Sequence, residues 1–130
     1  MAACPSNSQD PALNHGILID IEPHGRICIL HCKGRFASGA QIEYMQSKLN
    51  EVKTLQCMHV LADLQGVTAI GSMGIGFLVG VYTSVVGKPG GRFVLVGANP
   101  QVRTVLDLTC LDTVIPLAPD FRSGLQFLVD

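Results

Sequence analysis

No run of lysine or arginine occurs in this chain of 130 residues, and its nine basic residues stand against ten acidic ones. A net charge of −1 removes the footing of a nucleic-acid binder, which needs a basic stripe. No Cys-x-x-Cys pair occurs among Cys4, Cys28, Cys32, Cys57 and Cys110. An odd count without such a pair predicts reduced thiols in a reducing compartment. Cys28 and Cys32 invite a metal reading. Four residues along one strand, however, separate their Cα atoms by about 13 Å at roughly 3.3 Å per residue. One zinc, with Zn–S bonds of about 2.3 Å, does not bridge that gap, so no metal is expected. The chain start lacks the basic residues and apolar core of a signal peptide. Residues 1–14, rich in Ser, Asn, Pro and Asp, read as a flexible tail, and 15–130 as one domain.

Charge is also missing from Ile70 to Val86, and Gly76-Phe77-Leu78-Val79-Gly80 within it has the Gly-x-x-x-Gly spacing of paired helices. The stretch is at the lower limit for a membrane span and is diluted by four glycines, Ser72, Thr83 and Ser84. No second apolar span and no one-sided basic flank accompany it. It is expected to be a core helix on a sheet, not a membrane contact. Its glycines would let the helix backbone approach the strands.

What is present is 48% hydrophobic residues, enough for a packed core, arranged as strands alternating with helices. Gly16 to Ile21 and Arg26 to Lys33 alternate as two strands joined at Glu22-Pro23-His24-Gly25, a turn composition that predicts a hairpin. Ser38-Gly39-Ala40 opens a helix whose inner stripe is Ile42, Met45, Leu49 and Val52. Val60 to Leu64 and Arg92 to Val96 are continuous apolar runs, the pattern of strands buried on both faces. Asn99-Pro100 reads as an N-cap followed by proline in the first helical turn, with Val102, Val105 and Leu106 inside. Thr113 to Pro116 reads as a last short strand. A final helix begins near Pro119-Asp120 and packs Phe121, Leu125 and Leu128. The alternation predicts an α/β fold: a small mixed sheet of four to five strands, inner ones parallel, with about four helices. The helices Ala40–Val52 and Ser72–Val86 should share one face.

The chemistry centres on Ser72. A buried strand, a tight turn at Ile70-Gly71-Ser72-Met73-Gly74 and a long helix place it at the expected N-cap, its hydroxyl aimed at unpaired amides. Such a helix end suits an anion. Three readings compete: a plain cap, a nucleophile and a phosphorylation switch. The nucleophile elbow Gly-x-Ser-x-Gly fails because Ile70 stands at the first glycine. In addition, His15, His24, His31 and His59 all precede Ser72, and without a base its hydroxyl is a weak nucleophile. Gly71, Gly74 and Gly76 do not have Gly-x-Gly-x-x-Gly spacing, and Gly87-Lys88 is no phosphate loop. No cofactor is expected.

Three short motifs, in order, carry a resemblance. They are Gly34-Arg35-Phe36-Ala37, then Val67-Thr68-Ala69-Ile70-Gly71-Ser72-Met73-Gly74, then Asn99-Pro100-Gln101-Val102-Arg103-Thr104-Val105-Leu106. From about Gly16 to Asp130 the chain resembles a STAS domain of the bacterial anti-sigma factor antagonist family. There the first motif reads G-x-L-D, the second ends in D-S-S-G, and the third is N-P-x-V-x-x-x-L. The resemblance implies a cytoplasmic, non-enzymatic binding switch. Such a domain sequesters an anti-sigma factor that is also a serine kinase. The kinase ends the interaction by phosphorylating the residue matching Ser72, and a PP2C-type phosphatase resets it. The implied partner surface is Gly34, Arg35, Phe36, Ala37, Ser38, Gly71, Ser72, Met73, Gly74 and Phe77, on a monomer or weak dimer. Gly71 and Ala37 replace the family's acids, Met73 replaces its second serine, and Cys110 stands where a glycine usually ends the short third helix. A STAS-like sensor or scaffold without a phosphorylation cycle is the alternative; a small serine hydrolase is a third.

Overall fold

The computed structural model describes residues 17–36 and 42–129. Its elements are β1 (Ile17–His24), β2 (Ile27–Phe36), α1 (Ile42–Leu55), β3 (His59–Ile70), α2 (Ser72–Val86), β4 (Arg92–Val96), α3 (Pro100–Leu108), a 3-10 turn (Leu111–Thr113), β5 (Leu117–Ala118) and α4 (Phe121–Val129). The five strands form one sheet in the order β1-β2-β3-β4-β5. β1 and β2 pair antiparallel as a hairpin, and every later pairing is parallel. This is the expected α/β class with parallel inner strands. The expected tail, residues 1–14, and the helix start at Ser38-Gly39-Ala40 lie outside the described residues.

The sheet separates its side chains by period two. Cys28, Leu30, Val60, Ala62, Phe93 and Leu95 face a layer made by α1, α2 and α3, with Met45, Val52, Phe77, Leu78, Val81, Val85, Val102 and Leu106 buried in it. Ile29, Leu61, Val94 and Val96 face the other way, toward Leu128, Phe121 and Leu125 of α4. The two main helices therefore do share one face. Covering β3 and β4 on both sides is what the consecutive apolar residues Val60-Leu61-Ala62 and Phe93-Val94-Leu95-Val96 require, because neighbouring side chains point to opposite faces. Tyr44 of α1 ties the layer to the sheet's edge: its hydroxyl accepts from Ile19 N–H at 2.9 Å and donates to Ile19 C=O at 3.3 Å. That fills part of the edge strand's open hydrogen-bonding row. Among the described residues no helix is long and apolar enough to cross a membrane.

Several expectations are corrected. β3 does not stop at Leu64 but continues to Ile70. Its pairing with β2 skips between His31/Lys33 and between Gly34/Arg35, where β3 supplies an extra residue each time. The two bulges put Leu64, Val67 and Ile70, three apart, all in the interior, so the strand loses its period-two signature. The last strand is Leu117–Ala118, not Thr113 to Pro116, because Leu111–Thr113 winds into a 3-10 turn first. Ile42 is 43% exposed and is not part of the inner stripe. Finally, Cys28 and Cys57 are disulfide-bonded across 29 residues, with Cα atoms 5.9 Å apart. The parallel register Cys28↔Val60 brings Cys57, at the entry to β3, beside the start of β2. Cys110 is exposed, whereas Cys32 is buried and its thiol is pushed up to about 12 by desolvation, with Asp63 adding to it.

Candidate functional site

The three parallel inner strands end on one side of the molecule, and the motif residues meet there. Phe36 closes β2 opposite Ile70, which closes β3. Past these ends, the Gly71 N–H donates to the Phe36 carbonyl at 2.8 Å, so the two chain segments are hydrogen-bonded to each other. A Cβ on Gly74 would lie 2.9 Å from both Phe36 Cβ and Phe36 O, and closer still to Ile70. Only a glycine lets α2 begin this near the end of β2. The third motif arrives from β4. Asn99 accepts from Val102 N–H at 2.8 Å, capping α3, while its Nδ2 donates to the Val67 carbonyl at 2.9 Å. In open α/β sheets this end of the strands is the usual place for a binding crevice.

Ser72 stands exposed at this end. It is not the N-cap. Gly71 takes that position in extended conformation (φ −125°, ψ −163°), makes no side-chain cap bond, and accepts the first helical bond from Ile75 N–H at 2.9 Å. Ser72 is thus the first helical residue, and its hydroxyl does not occupy the capping position. The amides of Ser72, Met73 and Gly74 come before that first helical bond and have no intrahelical acceptor. Positive partial charge collects beside the exposed hydroxyl.

The other expected surface residues divide by burial. Arg35 is exposed on the last turn of β2, Gly34 (φ +99°) sits at the second bulge, and Met73 and Gly71 are half-buried. Phe36, Gly74 and Phe77 are buried and act from beneath the surface. Ala37 and Ser38 lie outside the described residues. Asn99 was not singled out as a site residue from the sequence, although its Asn-Pro cap pattern marked the place.

The described histidines are remote from Ser72. His31 pairs with Asp63, five residues before the end of β2, or about 16 Å at roughly 3.3 Å per residue. His24 and His59 are farther, at the opposite end of the strands. None is placed to activate a serine. His24 and His31 instead each present Nε2 at 2.8 Å to one oxygen of Glu22, whose carboxyl these bonds hold below the usual glutamate range. Among the described residues no group of three or more His, Cys, Asp or Glu is arranged to hold a metal ion.

Comparisons with known proteins agree with this geometry. The STAS domain family profile matches residues 19–124. An anti-sigma F factor antagonist of Paenibacillus polymyxa is 24% identical over 100 residues, covering 76% of this chain and 84% of that protein. The crystal structure of an anti-sigma factor antagonist from Mycobacterium paratuberculosis superposes with a TM-score of 0.78 at 25% identity, covering 88% of this chain and 95% of that one. The phosphorylated form of the Bacillus cell fate determinant SpoIIAA shares the fold, with a TM-score of 0.59 at 16% identity over 78% of this chain and 91% of that one. With the profile spanning most of the sequence, the chain belongs to the STAS domain family.

Proposed function

We propose that this STAS domain is an anti-sigma factor antagonist that binds an anti-sigma factor with serine kinase activity and is switched off by phosphorylation of Ser72. The observation that carries the reading is that Ser72 is exposed, on the first turn of α2, in the surface where the three motifs converge. A hydroxyl that caps its own helix would be occupied; this one is presented to solvent. The neighbouring free amides favour the phosphorylated form, because they offer donors and positive charge to its oxygens. A fold relative solved in phosphorylated form supports the same idea. The partner surface in this reading comprises the end of β2 from Gly34 and the first turns of α2, with residues 37 and 38 continuing it. The protein acts as a binding module in the cytoplasm, alone or as a weak dimer, and a PP2C-type phosphatase returns Ser72 to its free state.

The test is direct. The purified protein, mixed with the anti-sigma factor kinases of its source organism and ATP, should gain the mass of one phosphate on Ser72. The gain should be absent from Ser72→Ala and reversed by a PP2C-type phosphatase. One observation favours a second reading: Gly71 removes the family's acid from the residue before the serine. A STAS sensor or scaffold without a phosphorylation cycle would show no mass gain with any kinase while keeping a protein partner.

A further inference from the structure

The two glycines of the Gly-x-x-x-Gly pattern lie four residues apart on one side of α2, yet their surroundings differ. A Cβ on Gly80 would lie 2.7 Å from Leu49 Cδ2 of α1, so this glycine serves helix packing. A Cβ on Gly76 would meet nothing within 4 Å. Among the described residues nothing requires glycine there, and glycine inside a helix is less favourable than alanine. The space beside it is a groove of about 250 Å³ between α1 and α2. Met45, Leu49, Met73 and Phe77 line it, Ile42 adds exposed apolar surface, and none of its lining residues is charged. Ser72 is itself a lining residue.

We infer that this groove receives one apolar side chain of the anti-sigma factor, of branched-aliphatic or aromatic type; the inference rests on the proposed function above. Size argues for a single side chain. A cavity of about 150 Å³ holds a benzene ring, and pockets for whole small ligands start near 300 Å³. Lining chemistry argues the same way, since a charged group would find no partner. Continuity with Ser72 ties the groove to the switch: an anchor seated here holds the partner over the serine. Buried anchors of this kind dominate interface energies, while the surrounding contacts mainly exclude water.

The test measures affinity by calorimetry between the full chain and each purified anti-sigma factor kinase of the source organism. Gly76→Leu fills the groove without meeting any neighbour at its Cβ. It should weaken binding roughly thirty-fold, the loss that accompanies a missing anchor, and leave the melting temperature unchanged or raised. Ile42→Ser, at an exposed position, should weaken binding roughly tenfold and serves if the leucine variant fails to fold. Binding of Gly76→Leu and Ile42→Ser within threefold of wild type overturns the inference. Loss of binding in Ser72→Asp with full binding in Gly76→Leu removes the groove and keeps the switch. The reverse pattern keeps the groove and removes the switch. If none of the kinases binds the wild-type chain, both readings fall.

Discussion

Cys110 shows how one residue can be read against its backbone. It adopts the left-handed conformation (φ +61°) after α3. For a residue with a Cβ that conformation costs roughly 1–2 kcal/mol. Replacing it with glycine also loosens the unfolded chain, at about 0.4–1 kcal/mol. The side chain is exposed, so no core contact is lost. The strain dominates, and Cys110→Gly should stabilise the fold by about 0.5–1 kcal/mol. A higher urea midpoint at unchanged slope is the expected result, and a lower one contradicts it. His59 is a second such residue. Its Nδ1 is buried without a hydrogen-bond partner; desolvation first, then Arg92 and Arg26, hold its pKa below the usual histidine value. The fold disfavours the protonated ring. As pH falls below about 6.5 the unfolded chain takes up a proton that the folded one refuses, so stability declines with acid. Denaturation at pH 7.5 and 5.5 should show a larger loss for wild type than for His59→Gln. Equal losses would remove His59 as the cause.

At the scale of elements, Asn99 joins two of them. Its side-chain oxygen caps α3 and its amide nitrogen satisfies the Val67 carbonyl near the end of β3. Loss of the cap costs about 1 kcal/mol and an unpaired carbonyl about the same again, so Asn99→Ala should destabilise by about 2 kcal/mol. Asn99→Ser keeps an acceptor for the cap and should recover roughly half; no recovery would mean that the bond to Val67 dominates. The sequence disclosed the elements wherever a periodic pattern survives. The α3 cap, the apolar runs of β3 and β4 and the inner stripes of α3 and α4 were all legible. Where the structure breaks the period, legibility ended. The two bulges turned Leu64, Val67 and Ile70 into a three-residue spacing that does not read as a strand. The cap at Gly71 was hidden because serine is much the commoner capping residue and stands next to it. The pairing of Cys28 with Cys57 depends on parallel register, which spacing alone does not contain. At the site, the exposed Ser72 and its closeness to Gly34–Phe36 were legible through the motifs. The burial of Phe36, Gly74 and Phe77 was not, because a motif names residues without saying which side of the surface they occupy.

For the whole molecule, the proposed switch requires that phosphorylation of Ser72 end an interaction without unfolding its carrier. A phosphoserine carries about −1.5 to −2 charges at pH 7. In the free domain Ser72 is exposed beside the unpaired amides of α2, and the added charge gains about 0.3–1 kcal/mol there. In a closed interface the same group must leave water, and an uncompensated buried charge costs about 3–5 kcal/mol. The second effect is several times the first and acts only on the complex. At about 1.4 kcal/mol per decade, the partner's affinity should fall by roughly two to three and a half orders of magnitude. Ser72→Asp, with one charge in place of the dianion, should lie toward the lower end of that range while melting within a few degrees of wild type. Ser72→Ala should retain both binding and stability, since its hydroxyl caps nothing. Calorimetric titration and a thermal melt on the same three proteins separate the effects. Equal affinity for Ser72→Asp and wild type would exclude the switch. A large drop in melting temperature for Ser72→Asp would instead mean that affinity was lost through the fold, and the separation of binding from stability would fail.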